Sequence, residues 1–251
     1  MGFDLDRIRD QNRKLNERFF PRSLPRYGMR FRQLVETFSA STQVVVHLGA
    51  GSVDLEPYLD RSLSQPRLFA LDKSQAGLYL NQSKLKLCGD AQSLPLCSGT
   101  VDLIVSEHVF EHFPRPLDCL RECFRVLREG GKLLVSGPNG RSYIALAARL
   151  SPLCFHNLVR RLGMPSDTHP VDGFPTFYRF SSPRTIRRLA ERVGFEVVSV
   201  ETFVGEPYYT TFLPGLHLAF IAYHLLLEKL LPVFNTHITS VAVFQKPLVQ
   251  T

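Results

Sequence analysis

The chain of 251 residues is 44% hydrophobic and 21% charged, enough apolar content for the core of one large α/β domain or two small ones. Its five cysteines (Cys88, Cys97, Cys119, Cys123, Cys154) include no CxxC pair, which argues against a zinc module and for reduced thiols in a cytoplasmic setting. The net charge of +7 draws anions in general, yet no zinc-finger or aromatic RNP-type motif accompanies it, so no specific nucleic-acid recognition is expected.

Residues 1–40 read as one or two polar helices broken by Pro21 and Pro25, with no apolar stretch suited to a signal peptide. Basic residues crowd this segment: Arg7, Arg9, Arg13, Lys14 and Arg18. From Val44 the pattern changes to short apolar runs at 44–48, 67–71, 84–88, 101–106 and 132–137, each of strand length and apolar on both faces. Between the last two, "RPLDCLRECFRVLREGG" puts Leu117, Leu120, Phe124 and Leu127 on one helical stripe, with Gly130 and Gly131 as the stop. Strands alternating with helices imply right-handed crossovers and a doubly wound sheet.

After Gly140 comes a predicted helix, "YIALAARLSPLCFHNLVRRLG", and then the Pro- and aromatic-rich loop "MPSDTHPVDGFPTFYRFSSP". That loop either closes over a substrate or packs as a surface connection. Ser182 as N-cap, Pro183 at the first helical position and Gly194 as the stop predict a helix over 183–193. It leads into the strand "FEVVSVETF", and "HITSVAVFQK" (237–246) reads as the last strand. Between these strands, the apolar stretch within 204–236 is too short to cross a bilayer. Its readings are a cap on an apolar pocket, a peripheral membrane contact through 212–234, a subunit contact, or a helix buried on the sheet.

Chemistry enters at the ends of the strands. In "VVVHLGAGSVD" the glycines Gly49 and Gly51 permit a tight turn and close approach of a ligand, with a helix N-terminus expected to follow. The position of a third glycine is Asp54, which disfavours a dinucleotide and with it a nicotinamide oxidoreductase. Asp72 ends the second strand, where a carboxylate suits two ribose hydroxyls or, alternatively, an Asx turn. Asp90 and Ala91 follow the third strand, suited to an adenine amino group and ring. Ser106, Glu107 and His108 stand at the end of the fourth.

The ordered series "VVHLGAGS … ALDKS … GDAQSLPLCSGTVDLIVSEHVFEHF … LRECFRVLREGGKLLVSGPN" resembles the class I S-adenosylmethionine-dependent methyltransferases, in particular the type 11-like group. The resemblance implies a Rossmann-like, three-layer α/β/α fold. Its sheet would be doubly wound, seven-stranded and mostly parallel with an antiparallel last strand. Residues 1–251 would form a single domain: an N-terminal helical segment (1–40), a cofactor-binding half (41–140), sheet elements at 183–203 and 237–248, and helical cap insertions at 141–182 and 204–236. It implies S-adenosylmethionine as cofactor, held by His47, Gly49, Ala50, Gly51, Asp72, Lys73, Asp90, Ala91, Ser106 and Glu107. His47 departs from the family, which usually has an acidic residue there.

Methyl transfer to a hydroxyl calls for a base near neutral pH, and His108 and His169 are the candidates, with Glu107, Glu111 and Tyr178 as helpers. His112 reads as part of a turn. The function expected is methylation, at oxygen, of a small-molecule or lipid-linked acceptor by a cytoplasmic or membrane-peripheral enzyme. A non-catalytic methyltransferase-like partner subunit or membrane-peripheral scaffold is the rival, favoured by His47 and Ser52.

Overall fold

The computed structural model describes residues 5–19, 27–140, 175–203, 211, 215–230 and 239–249. In chain order the elements are α1 (Leu5–Phe19), α2 (Tyr27–Ser39), β1 (Val44–Leu48), β2 (Arg67–Asp72), α3 (Gln75–Leu80), β3 (Leu85–Cys88), β4 (Val101–Glu107), α4 (Pro116–Val126), β5 (Leu127–Pro138), α5 (Pro183–Val193), β6 (Glu196–Phe203), α6 (Leu216–Leu230) and β7 (Thr239–Gln245). Short 3-10 turns occupy Glu56–Tyr58 and Phe110–His112.

The chain sorts into two compact units. Residues 1–26, 140–173 and 203–238 form one, and residues 27–139, 174–202 and 239–251 form the other. In the first, α1 packs on α6. Asn16 Oδ1 lies 3.0 Å from Nε2 of the buried His217, and Asn12 donates to the carbonyl of Thr211 at 2.7 Å.

The second unit carries the sheet, with strand order β3-β2-β1-β4-β5-β7-β6. β1 pairs in parallel with β2 and β4, β2 with β3, and β4 with β5, whereas β7 runs antiparallel to β5. The first six residues of β4 and of β7 are buried, as strands covered by helices on both faces require. On one face, Cys119, Leu120, Cys123 and Val126 of α4 and Ile186 and Ala190 of α5 join Phe110, Phe180, Phe195 and Phe244 in the main core. α2 packs against β4, β5 and β7 with Phe31, Leu34 and Val35 buried, and Arg30 forks onto Glu201 of β6.

The helix over 183–193 forms as the sequence predicts. Ser182 Oγ accepts from the Thr185 N–H, and Gly194 closes the helix at φ 107°. Two expectations need correction. α4 ends at Val126 rather than at the glycines, because Lys246 Nζ donates to the carbonyls of Phe124 (2.9 Å) and Leu127 (2.8 Å) and satisfies its last turn. Leu127 already belongs to β5, and Gly130, at φ 72°, lies where the pairing register with β4 shifts.

The second correction concerns the β1–β2 connection, where no α-helix follows the glycine loop. Pro57 and Pro66 remove N–H donors, Asp54 Oδ1 accepts from the Glu56 N–H and Asp60 Oδ1 from the Ser62 N–H, so local turns win over a helix. His169 and the predicted helix after Gly140 lie outside the described residues.

Candidate active site

Because β1 to β4 are mutually parallel, their C-terminal ends share one edge of the sheet, and Gly49, Asp72, Asp90 and His108 follow those ends. Gly49 sits at φ 73°, and a Cβ there would lie 2.2 Å from Val109 Cγ2, so packing demands glycine. Gly51 sits at φ 47°, and a Cβ there would meet only Asp72 Oδ2, at 3.9 Å. Its face toward Asp72 is open.

The N–H groups of Gly49 and Ala50 donate to the Leu71 carbonyl at 2.8 and 3.1 Å, and that of Gly51 donates to Asp72 Oδ2 at 2.7 Å. A phosphate cradle needs such donors free and has no use for a carboxylate among them. This loop therefore suits a ligand presenting hydroxyls or a cation. Asp72 Oδ1 also accepts from the Ser74 N–H at 2.7 Å, an Asx turn that leads into the Ser74 cap of α3. Each carboxylate oxygen retains a second lone pair, so the turn and a pair of ligand hydroxyls are compatible.

Asn81, 2% exposed, is the residue that sequence reasoning missed here. Its Nδ2 donates to the carbonyls of Gly51 (3.0 Å) and Val53 (2.7 Å), and its Oδ1 accepts from the Ser83 N–H. An Asn just past a short helix signals a helix end, but nothing in the sequence shows where its side chain reaches.

His47 is buried in β1 between Ala70 and Val105, and its Nδ1 has no hydrogen-bond partner. Burial pushes its pKa down to about 4 against the opposing pull of Asp72 and Asp54, so the imidazole is neutral at pH 7. It offers a buried polar nitrogen beneath the glycine loop where an acid would offer a charge.

Asp90 accepts from the Gln92 N–H at 2.9 Å, and Lys73 Nζ reaches to 3.5 Å from its Oδ2. The backbone hydrogen bond chiefly, with help from Lys73, holds its carboxyl below the usual range despite partial burial. Ala91 is buried beside it. The loop that follows is framed by α4. Arg125 donates to the carbonyls of Leu94 and Leu96, and Glu122 accepts from the Leu94 N–H.

At the end of β4, Ser106 is fully buried with its hydroxyl unpartnered, and Glu107 is half-buried. His108 is partly exposed, in the left-handed region at φ 56°, with the Tyr27 ring edge-on at 5.6 Å. Its Nδ1 lies 3.4 Å from Oε1 of the buried Glu111. Burial would lower the His108 pKa, but Glu111 and then Glu107 outweigh it and the net shift is upward. His112 is a turn residue, as its pattern suggests, with Nδ1 3.1 Å from the Pro175 carbonyl. The described end of the Pro- and aromatic-rich loop is packed: the Phe177 and Tyr178 N–H groups donate to the Glu111 carbonyl, and Arg179 donates to that of Pro114.

Residues 46–135 match a family model described as a methyltransferase domain. A probable S-adenosylmethionine-dependent methyltransferase of Mycolicibacterium smegmatis is 47% identical over 109 residues, which cover 43% of this chain and 34% of that protein. A demethylmenaquinone methyltransferase of Thermotoga maritima is 32% identical over 95 residues, covering 36% and 42% respectively. The chain thus matches only about a third to two-fifths of the length of these relatives. Among solved structures, the [4+2]-cyclase SpnF superposes with a TM-score of 0.56 over 87% of this chain and 81% of its own, at 19% identity, a likeness of fold.

Proposed function

We propose that residues 46–135, which match the methyltransferase-domain model, form a class I S-adenosylmethionine-dependent methyltransferase domain, and that the protein methylates a hydroxyl of a small or lipid-linked acceptor, with His108 as general base. The observation that carries this reading is the placement of His108. It is a partly exposed, base-type side chain at the C-terminal end of β4, on the edge that also holds Gly51, Asp72 and Asp90.

The donor set fits S-adenosylmethionine. Asp72 has lone pairs that would take the ribose hydroxyls, Asp90 would accept from the adenine amine with Ala91 beside the ring, and Gly49 to Gly51 would face the methionine part. The neutral His47 nitrogen would accept from the ammonium. Lys73 holds Asp90, while Ser106 and Glu107 line the floor. The cofactor, when bound, supplies an electrophilic methyl group on a sulfonium. The chain supplies alignment, and His108 accepts the proton of the acceptor hydroxyl. His169, the other candidate base, lies outside the described residues.

A lipid-linked acceptor is supported from two directions. The Thermotoga relative is named for demethylmenaquinone. In the first unit, α6 leaves Leu216, Leu218, Tyr223 and Leu226 about half exposed, while α1 exposes Arg7, Arg13, Lys14 and Arg18. An apolar face and a cationic helix in one unit suit peripheral contact with an anionic bilayer. No helix among the described residues is long and apolar enough to cross a membrane.

Titration calorimetry with S-adenosylmethionine and S-adenosylhomocysteine tests the reading. Binding that is lost in Asp72→Ala supports it. No binding by the intact chain would sink it and favour the non-catalytic subunit, for which His47 and the helix-free loop after β1 speak. Co-sedimentation with anionic but not neutral vesicles tests the membrane contact.

A further inference from the structure

Glu111 is a carboxylate where an apolar side chain would be cheaper. It is 4% exposed, follows the fully buried Phe110, and its Oε2 has no hydrogen-bond partner. Burying a charged group without full satisfaction is costly, so its presence asks for a task that charge performs. The fold accommodates it deliberately in one respect. A Cβ at Gly137 would stand 3.3 Å from Oε2, so glycine on β5 leaves the carboxylate its room.

The backbone around Glu111 is stitched down on both sides. Its carbonyl accepts from the N–H groups of Phe177 (2.8 Å) and Tyr178 (3.3 Å), and the adjacent His112 ring meets the Pro175 carbonyl. Among the described residues, His108 and Tyr178 alone adopt positive φ without being glycine, at 56° and 51°. Both meet at Glu111, His108 through its ring and Tyr178 through its N–H. Such strain persists where the surroundings over-determine a conformation, and it clusters at functional sites. His108 is fixed further by its own N–H, which donates to the Ser136 carbonyl at 2.9 Å.

We propose that Glu111 is a positioning residue: its carboxylate holds the His108 imidazole with the proton on Nδ1 and leaves Nε2 as the nitrogen that accepts the acceptor's proton. The inference rests on the reading of His108 as base. A carboxylate on the far nitrogen fixes a tautomer and stabilises the imidazolium formed when the near nitrogen is protonated. The proton taken from the acceptor hydroxyl resides on His108. Among the described residues, the groups facing His108 are Glu111 from the turn, Glu107 at the end of β4 and the Tyr27 ring from α2, and the first two favour the protonated ring. Among the described residues, only Glu111 is at ion-pair distance.

The test is a nitrogen-15 NMR titration of the His108 imidazole in the full chain, its resonance assigned by loss in His108→Gln. Glu111→Gln is expected to move the midpoint at least about half a pH unit lower, the direction that loss of a nearby opposite charge dictates. It is also expected to shift the neutral ring toward the Nε2–H tautomer. Glu111→Asp, which keeps the charge but draws it back by one methylene, is the second variant should Glu111→Gln fail to fold. The same two changes are expected there to a smaller extent. A midpoint and tautomer ratio equal to wild type in the folded variants would overturn the proposal. Calorimetry on the wild-type chain separates the two readings. Failure to bind S-adenosylmethionine removes the base assignment, while the NMR comparison still decides whether Glu111 positions the ring.

Discussion

Asn81 bonds to the carbonyls of both Gly51 and Val53, so the end of α3 holds the glycine loop that no helix follows. In Asn81→Ala two part-buried carbonyls lose their donor, a cost of roughly 1 kcal/mol. Urea denaturation should show that loss, and S-adenosylmethionine affinity should fall further than stability alone explains. An unchanged affinity would mean that the loop keeps its shape without the clamp.

The two glycines of the loop should respond differently to alanine. At Gly49 a left-handed backbone coincides with a contact to Val109 at 2.2 Å, so Gly49→Ala combines backbone strain of about 1–2 kcal/mol with overpacking of about 1–3 kcal/mol. Gly51→Ala carries the strain without the clash and places its methyl on the side of Asp72. We expect Gly49→Ala to lower the unfolding midpoint markedly and Gly51→Ala to act mainly on cofactor affinity. Equal effects on stability would contradict this division.

His47 makes the fold sensitive to acid. Its unfolded pKa is near 6.5 and its folded pKa about 4, so the unfolded chain takes up a proton first as the pH falls. Stability is fully present above about pH 6.5 and declines through the window down to pH 4, by about 3 kcal/mol at one pKa unit per 1.36 kcal/mol. His47→Val should remove this part of the pH slope in denaturation curves taken at pH 7 and 4.5. A slope identical to wild type would show that other groups carry it.

Arg125 supports the proposed cofactor edge, since its guanidinium takes the carbonyls of Leu94 and Leu96 in the loop that follows Asp90 and Ala91. Lysine cannot reproduce that planar fork. Arg125→Lys is therefore expected to cost stability of about 1 kcal/mol and to weaken S-adenosylmethionine binding severalfold, as calorimetry would read. Wild-type affinity in this variant would show that the loop needs no frame.

The strands were legible because a parallel sheet buried on both faces writes itself as short apolar runs, and β1 fell on 44–48 as read. The 183–193 helix was legible because its cap, proline and closing glycine are all local signals. The end of α4 was not, since it depends on Lys246, more than a hundred residues away. The same holds at the site. Asp72 and Asp90 announce themselves at strand ends, whereas the reach of Asn81 and the burial of Glu111 arise only from tertiary packing. The absence of a helix after the glycine loop turned on two prolines and two Asx turns overriding a general expectation for such loops.

That missing helix has a consequence for how the protein breathes. β3 is largely exposed, α3 spans only six residues, and Tyr79, Leu80 and Leu85 stand well exposed at this end of the sheet. Few apolar contacts hold that corner, whereas β4 and β7 are buried almost throughout. Local opening should follow this gradient, with amides of β3 exchanging with deuterated solvent well before those of β4. Asp72 and Asp90 border the soft corner and His108 follows the hard strand, so a ligand spanning the two should slow exchange in β3 most, tightening the end of the sheet that the fold alone leaves loose.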